Sequence, residues 1–160
     1  MVVLDNCVLS ECFDLYADML LRIAFHYVGN QADAEDIVQD AFMKLHRYRG
    51  GFEDRDHIKH WLIRVTSNLS KNMLRSVHRK RTVPLDEEWK AQTPAQTNVL
   101  ELINKLDWKY RDALYLHYYE GYKAAEIAEI YGTTANTVTT WLKRGRDKLK
   151  LIIEEEGYEY

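Results

Sequence analysis

The sequence predicts an all-α protein of two small helical domains joined by a flexible linker, the second containing a helix-turn-helix. Three observations carry that prediction. Apolar residues recur at spacings of three and four along nearly every segment, the period of a helix buried on one face. Strand-like alternation is absent, as are internal repeats and low-complexity stretches. Both prolines, Pro84 and Pro94, fall in one segment, TVPLDEEWKAQTPAQT, where the helical pattern fails.

The first helix is marked by Leu9, Cys12, Phe13, Tyr16, Met19, Leu20, Ile23, Ala24 and Tyr27, one long apolar stripe ended by Gly29-Asn30. A second helix from about Asp33 puts Ala34, Ile37, Val38, Ala41, Phe42 and Leu45 on one face. Asp33 is its expected N-cap, and the acids of its first turn suit the positive end of the helix dipole. Gly50-Gly51 breaks the chain. A third helix from about Asp56 buries Ile58, Trp61, Leu62 and Val65. The polar run Thr66-Ser67-Asn68 predicts a turn or kink, because such side chains compete for backbone hydrogen bonds. A further basic helix with Leu69, Met73, Leu74 and Val77 follows. These segments define a first domain over 1–81, a linker over 82–97 and a second domain over 98–160. Domains this small can fold alone but are marginal. In the second, Val99, Leu100, Leu102, Ile103 and Leu106 mark one short helix, and Tyr110, Ala113, Leu114, His117 and Tyr118 another, stopped at Glu120-Gly121. Lys123 to Tyr131 and Thr134 onward make the last two.

Net charge is -3, but it is unevenly placed. From His57 to Leu85 there are seven basic residues and no acid, and Lys143 to Lys150 holds five basic residues beside Asp147 alone. The rest of the chain is correspondingly acidic. Such segregation suits two surfaces for a polyanion and acidic faces for another partner. Other classes find little support. No apolar run approaches the ~20 residues that span a bilayer, so no membrane insertion is expected. The N-terminal stretch lacks a secretory pattern. Cys7 and Cys12 form neither a disulfide framework nor a CxxC pair, which points to the reducing cytoplasm. His57-x-x-His60 could seat two metal ligands on one helical turn, but no third ligand stands at convincing spacing. No phosphate loop or nucleophile motif is present. The expectation is a protein that is not an enzyme, with no catalytic residue, no metal and no cofactor.

The basic C-terminal stretch has a more specific logic. In KAAEIAEIYGTTANTVTTWLKRGRDKL, small Ala128 allows two helices to cross closely, and Gly132 supplies the turn between them. Ile127, Val138 and Leu142 fill the wedge. The second helix then shows Asn136, Thr137, Thr139, Thr140 and Lys143 outward near its N-terminal end, the end that reaches base edges in a major groove. Asn, Thr and Lys suit base hydrogen bonds and the thymine methyl. Arg144, Arg146 and Lys148 suit phosphates.

At this point the residues carry a family resemblance. YYEGYKAAEIAEIYGTTANTVTTWLKRGRDKLK resembles region 4 of the sigma-70 family, especially its extracytoplasmic-function group. NQADAEDIVQDAFMKLHRY resembles region 2.2 of that group, and IKHWLIRVTSNLSKNMLRSVHRKR its regions 2.3 and 2.4. The likeness covers about Leu9 to Lys150, with a variable linker between. It implies a sigma factor that binds core RNA polymerase and promoter DNA and directs promoter-specific initiation, with an anti-sigma factor as a further candidate partner. Carried over by position, Asp36, Gln39 and Asp40 fall on the polymerase-binding side of the second helix, opposite its core stripe. Ile63 to Asn68 corresponds to a loop that captures a flipped base of the minus-ten element. An extruded base costs a few kcal/mol, which several polar contacts could offset. Ser67 and Asn68 are the candidates for that contact; Asn68 as a helix cap is an equal alternative, and both roles are compatible. Arg64, Lys71, Arg75, Arg79 and Lys80 would neutralise phosphates of duplex and melted strand. Asn136, Thr137, Thr139, Thr140, Lys143 and Arg144 would read the minus-thirty-five element. Trp61 matches a family tryptophan, and its apolar spacing makes it core.

Departures from the family pattern limit the borrowing. Thr133 stands where an aliphatic residue is usual after the turn glycine, and Thr139 and Trp141 stand where basic residues are common, so promoter sequence cannot be inherited from relatives. The competing reading is a helix-turn-helix regulator that acts without being a polymerase subunit. Such a regulator needs neither the acid-free basic block nor the acidic second helix.

Overall fold

The computed structural model describes residues 1–78, 102–103 and 105–157. The chain divides into two compact units, Met1–Trp89 and Lys90–Tyr160. Among the described residues every extended element is helical, the sole β-bridge pairing Val2 with Phe52. No described helix is long and apolar enough to cross a membrane.

The first unit packs three helices: α1 (Asn6–Val28), α2 (Gln31–Arg47) and α3 (Arg55–His78). Asp5 caps α1, its carboxylate accepting from Val8 N at 2.8 Å. Gly29 closes it in the left-handed region (φ 73), with its N–H on Phe25 O at 2.9 Å. That conformation costs a residue without Cβ little. The chain then starts α2 at once. Asn30, not Asp33, is the N-cap: its Oδ1 accepts from Asp33 N at 2.8 Å and its Nδ2 donates to Asp33 Oδ2 at 2.7 Å. The expected cap was three residues late because the Gly29-Asn30 pair both ends one helix and begins the next. Asp33 instead sits at the third helical position, where its charge still meets the helix dipole.

The core is built from Leu20, Ile23 and Ala24 of α1, Ala34, Ile37, Ala41 and Leu45 of α2, and Ile58, Leu62 and Ile63 of α3, each essentially removed from water. Phe52, in the connection between α2 and α3, is also fully buried. Its ring lies 5.0 Å from Tyr48 and 5.9 Å from Trp61. Trp61 thus belongs to an aromatic cluster at the edge of the core. Phe13, expected within the α1 stripe, is 48% exposed and rests its ring against Phe42 at 5.1 Å.

α3 runs unbroken through the point where a turn was expected. Thr66, Ser67 and Ser70 are fully buried within it, and Ser70 Oγ donates back to Thr66 O at 2.8 Å. Small polar side chains that bond within their own helix need not break it; here the side chain satisfies itself on the turn behind.

In the second unit Leu102 and Ile103 are helical and buried, Leu106 is buried in a bend just past them, and Val99 and Leu100 lie outside the described residues. α4 (Trp108–Leu114) passes into a π turn, Tyr115–Tyr119, which ends before Gly121 (φ 75). α5 (Ala124–Tyr131) is closed by Gly132 (φ 66), with Thr133 N donating to Ala128 O at 2.9 Å. α6 (Ala135–Glu155) is capped by Thr134, whose Oγ1 accepts from Thr137 N at 3.2 Å. The buried wedge contains Ile127, Ala128, Val138 and Leu142, as the spacing predicts.

Candidate nucleic-acid interface

α5, the Gly132 turn and α6 form the helix-turn-helix, and the side chains of early α6 define its open face. Asn136, Thr139, Thr140, Lys143 and Arg144 are exposed. Residues 136, 139, 140 and 143 follow the i, i+3, i+4, i+7 rule and so share one side of the helix. Thr139 Oγ1 donates to Ala135 O at 2.9 Å and Thr140 Oγ1 to Asn136 O at 3.0 Å. With those protons held by the helix, each hydroxyl turns an acceptor and a methyl outward. That is chemistry for an exocyclic amine of adenine or cytosine and for the thymine methyl. Thr137 differs: it is partly buried and its hydroxyl lies 2.9 Å from Thr134 Oγ1, so it helps the cap.

What holds α6 in place was only partly legible. Gly145 is buried within it, and a Cβ there would lie 3.1 Å from Leu114 Cδ1 and 3.3 Å from Tyr110 Cβ. A glycine inside a helical pattern signals close backbone approach, and Gly145 is such a glycine. Buried Asp112 accepts from Tyr131 OH at 2.7 Å, tying α4 to the end of α5. Trp141, where the family often has a basic residue, packs 6.2 Å from Trp108 and 6.4 Å from Tyr131. It is spent on packing the helix-turn-helix.

In the first unit, Arg64, Asn68 and Arg75 are exposed and Lys71 is partly so. Positions 64, 68, 71 and 75 repeat at four, three and four, which puts them on one face of α3. Ser67 does not join them. It is fully buried, facing the core, so its expected place on a DNA-contacting surface does not hold. Arg79 and Lys80 lie outside the described residues. The expected loop at Ile63–Asn68 is replaced by the middle of a helix, and Asn68 therefore caps nothing. The non-helical backbone beside α3 is the connection from Tyr48 to Asp54.

On α2, Asp36, Gln39 and Asp40 are all exposed and lie opposite buried Ile37 and Ala41. At i, i+3 and i+4 they form one compact acidic patch. The His57-x-x-His60 pair has a structural use in part: His57 Nδ1 accepts from Glu53 N at 3.2 Å, in the turn that begins α3. Among the described residues no group of three or more His, Cys, Asp or Glu side chains could hold a metal ion.

Two family models match the sequence of these units: Sigma-70 region 2 over residues 12–81 and Sigma-70, region 4, over residues 96–149. The chain belongs to the sigma-70 family. Its relatives place it in the extracytoplasmic-function group. It is 29% identical over 158 residues to RNA polymerase sigma factor SigV of Bacillus subtilis, covering 96% of this chain and 92% of that one. It is also 29% identical over 169 residues to the ECF RNA polymerase sigma factor SigW of the same organism, covering 91% and 89%. Among solved structures, the sigma factor RpoE in complex with the anti-sigma factor NepR from Bartonella quintana is similar with a TM-score of 0.73 and 22% identity. That likeness covers 91% of this chain and 96% of the other. The acidic patch of α2 and the basic face of α3 both fall within the region 2 match, and the exposed face of α6 within the region 4 match. A regulator independent of polymerase would have no use for the region 2 unit, and that reading is set aside.

Proposed function

We propose that this sigma factor divides its work among three surfaces. The α2 patch of Asp36, Gln39 and Asp40 binds core RNA polymerase. The α3 face of Arg64, Asn68, Lys71 and Arg75 holds the minus-ten element while the strands separate, with Arg79 and Lys80, which lie outside the described residues, as further phosphate contacts. The α6 face of Asn136, Thr139, Thr140, Lys143 and Arg144 reads the minus-thirty-five element. The domains are 1–81 and 98–160, with 82–97 as the linker that lets polymerase set their spacing. The chain acts in the cytoplasm as an initiation factor and performs no chemistry of its own. By analogy with the RpoE–NepR complex, an anti-sigma factor is its regulator.

The observation that carries the reading is the coexistence in one chain of an acidic helix, a basic helix and a polar-faced helix-turn-helix, each exposed on a folded unit. An acidic patch repels DNA and suits a basic protein partner. A row of cations suits phosphates. The backbone of α3 is already paired within the helix, so there the exposed Asn68 side chain is the candidate for a base edge, and the Tyr48–Asp54 connection beside it adds non-helical backbone for an extruded base. The direct test adds the full chain to core polymerase on genomic DNA and sequences the transcript starts. Initiation at a defined set of sites that share two elements supports the reading; starts no different from those of core polymerase alone would end it.

A further inference from the structure

The π turn before the helix-turn-helix has no role in the reading just given. Single π turns within helices recur at functional sites. Here the turn is closed by Glu120 N donating to Tyr115 O at 3.2 Å, and it leaves Tyr118 and Tyr119 61% and 47% exposed. Tyr119 stacks on Tyr115, ring centres 5.2 Å apart. Tyr118 turns instead toward α6, where Arg146 Nη1 donates to its hydroxyl at 2.9 Å.

That hydrogen bond has a direction with consequences. A guanidinium only donates, so the Tyr118 oxygen is the acceptor and its own proton remains to be given. Arg146 has further N–H groups. An anionic oxygen in front of the pair would therefore receive one bond from a hydroxyl and another from a cation. Arg146 follows Thr139 by seven residues and Lys143 by three, on the same side of α6, roughly 10 Å beyond Thr139 along the helix axis. A helix whose first turns reach base edges carries its later turns out toward the groove rim, where phosphates lie. The surroundings are cationic: Lys143, Arg144 and Lys148 are exposed nearby on α6, with Asp147 the single acid of that stretch. We infer that Tyr118 and Arg146 form a two-donor phosphate clamp that grips the DNA backbone beside the groove read by α6. The inference rests on α6 being the recognition helix.

The test uses the full chain bound to core polymerase, and a duplex selected by the wild-type holoenzyme from a random-sequence pool. Tyr118→Phe keeps the ring and removes only the hydroxyl. Its binding should weaken about tenfold, equally for every base variant of the duplex. Arg146→Ala should weaken binding similarly and lower the salt slope of log affinity by about one. Phosphates are then replaced singly by neutral methylphosphonate. At one position the wild type should lose affinity while Tyr118→Phe and Arg146→Ala lose little more, the sign of a shared contact. Losses that simply add at every position would overturn the clamp. So would weaker association of Tyr118→Phe with core polymerase in the absence of DNA, which would make the tyrosine surface a protein contact. Asn136→Ala separates the two inferences. If it relaxes preference at one base while Tyr118→Phe is silent, only the clamp fails; if both are silent, the placement of α6 fails with it. Thermal melting of each variant checks that the fold is kept.

Discussion

Gly145 shows how much one missing Cβ decides. Alanine there would gain about 1 kcal/mol in helix propensity, yet its Cβ would press on Tyr110 Cβ, an atom fixed to the α4 backbone, at 3.3 Å. Gly145→Leu leaves no such balance: it should destabilise the second unit by about 3 kcal/mol, the upper range for overpacking a close helix contact, and denaturant titration would measure it. Cys12 offers a residue-scale test of the first unit. Burial pushes its thiol above the usual range, with the Arg55 guanidinium pulling the other way. As pH rises, the thiol therefore ionises first in the unfolded chain. Stability is fully present below the ordinary thiol pKa and is lost as pH climbs from there through the raised folded-state value. Comparing wild type with Cys12→Ala across that window should show the loss in wild type alone. Parallel curves would mean that the thiol titrates alike in both states.

At the scale of elements, the sequence was most readable where periodicity and turn chemistry agreed. Gly29, Gly132, Thr134 and the Ile127–Val138–Leu142 wedge all stand where apolar spacing and glycine placement predict. It was least readable where a side chain could bond either outward or within its own helix. Thr66 and Ser67 look like breakers in a sequence, and only the packed α3 shows them turned inward and helical. The π turn was equally hidden, because one extra residue in a helical turn leaves no compositional mark. Two predictions follow from the continuous α3. Thr66 Oγ1 is buried without a hydrogen-bond partner among the described residues. Thr66→Val replaces that hydroxyl by a methyl of similar size and should stabilise the first unit by about 1 kcal/mol, raising the denaturation midpoint. Asn68→Ala should leave the melting temperature unchanged or slightly raised, since alanine is the better residue in an exposed helix interior. The same variant should weaken discrimination within the downstream element in a transcription assay. A clear loss of stability would show instead that Asn68 is holding the fold.

For the whole molecule, the question is whether its charge segregation separates two partners. The acidic patch lies on α2 of the first unit and the cationic faces on α3 and α6, so a change in one should leave the others working. Asp36→Lys with Asp40→Lys alters the local charge by four units at two exposed positions off the buried stripe. Surface substitutions of this kind usually cost under about 0.5 kcal/mol, so the helices should melt as in wild type. Set against a basic partner, however, the reversed patch turns attraction into repulsion, and like charges across an interface cost several kcal/mol. Association with core polymerase should then fall at least a hundredfold, an amount that ~3 kcal/mol supplies. Binding of the free chain to nonspecific duplex should be kept or strengthened, because cations were added. Three measurements on one variant read this out: circular dichroism on heating, retention on immobilised core polymerase, and duplex binding against salt. Loss of polymerase alone is the expected pattern. Retention equal to wild type would remove the acidic helix from the mechanism, and loss of DNA binding alongside polymerase would mean that the two surfaces are not separate.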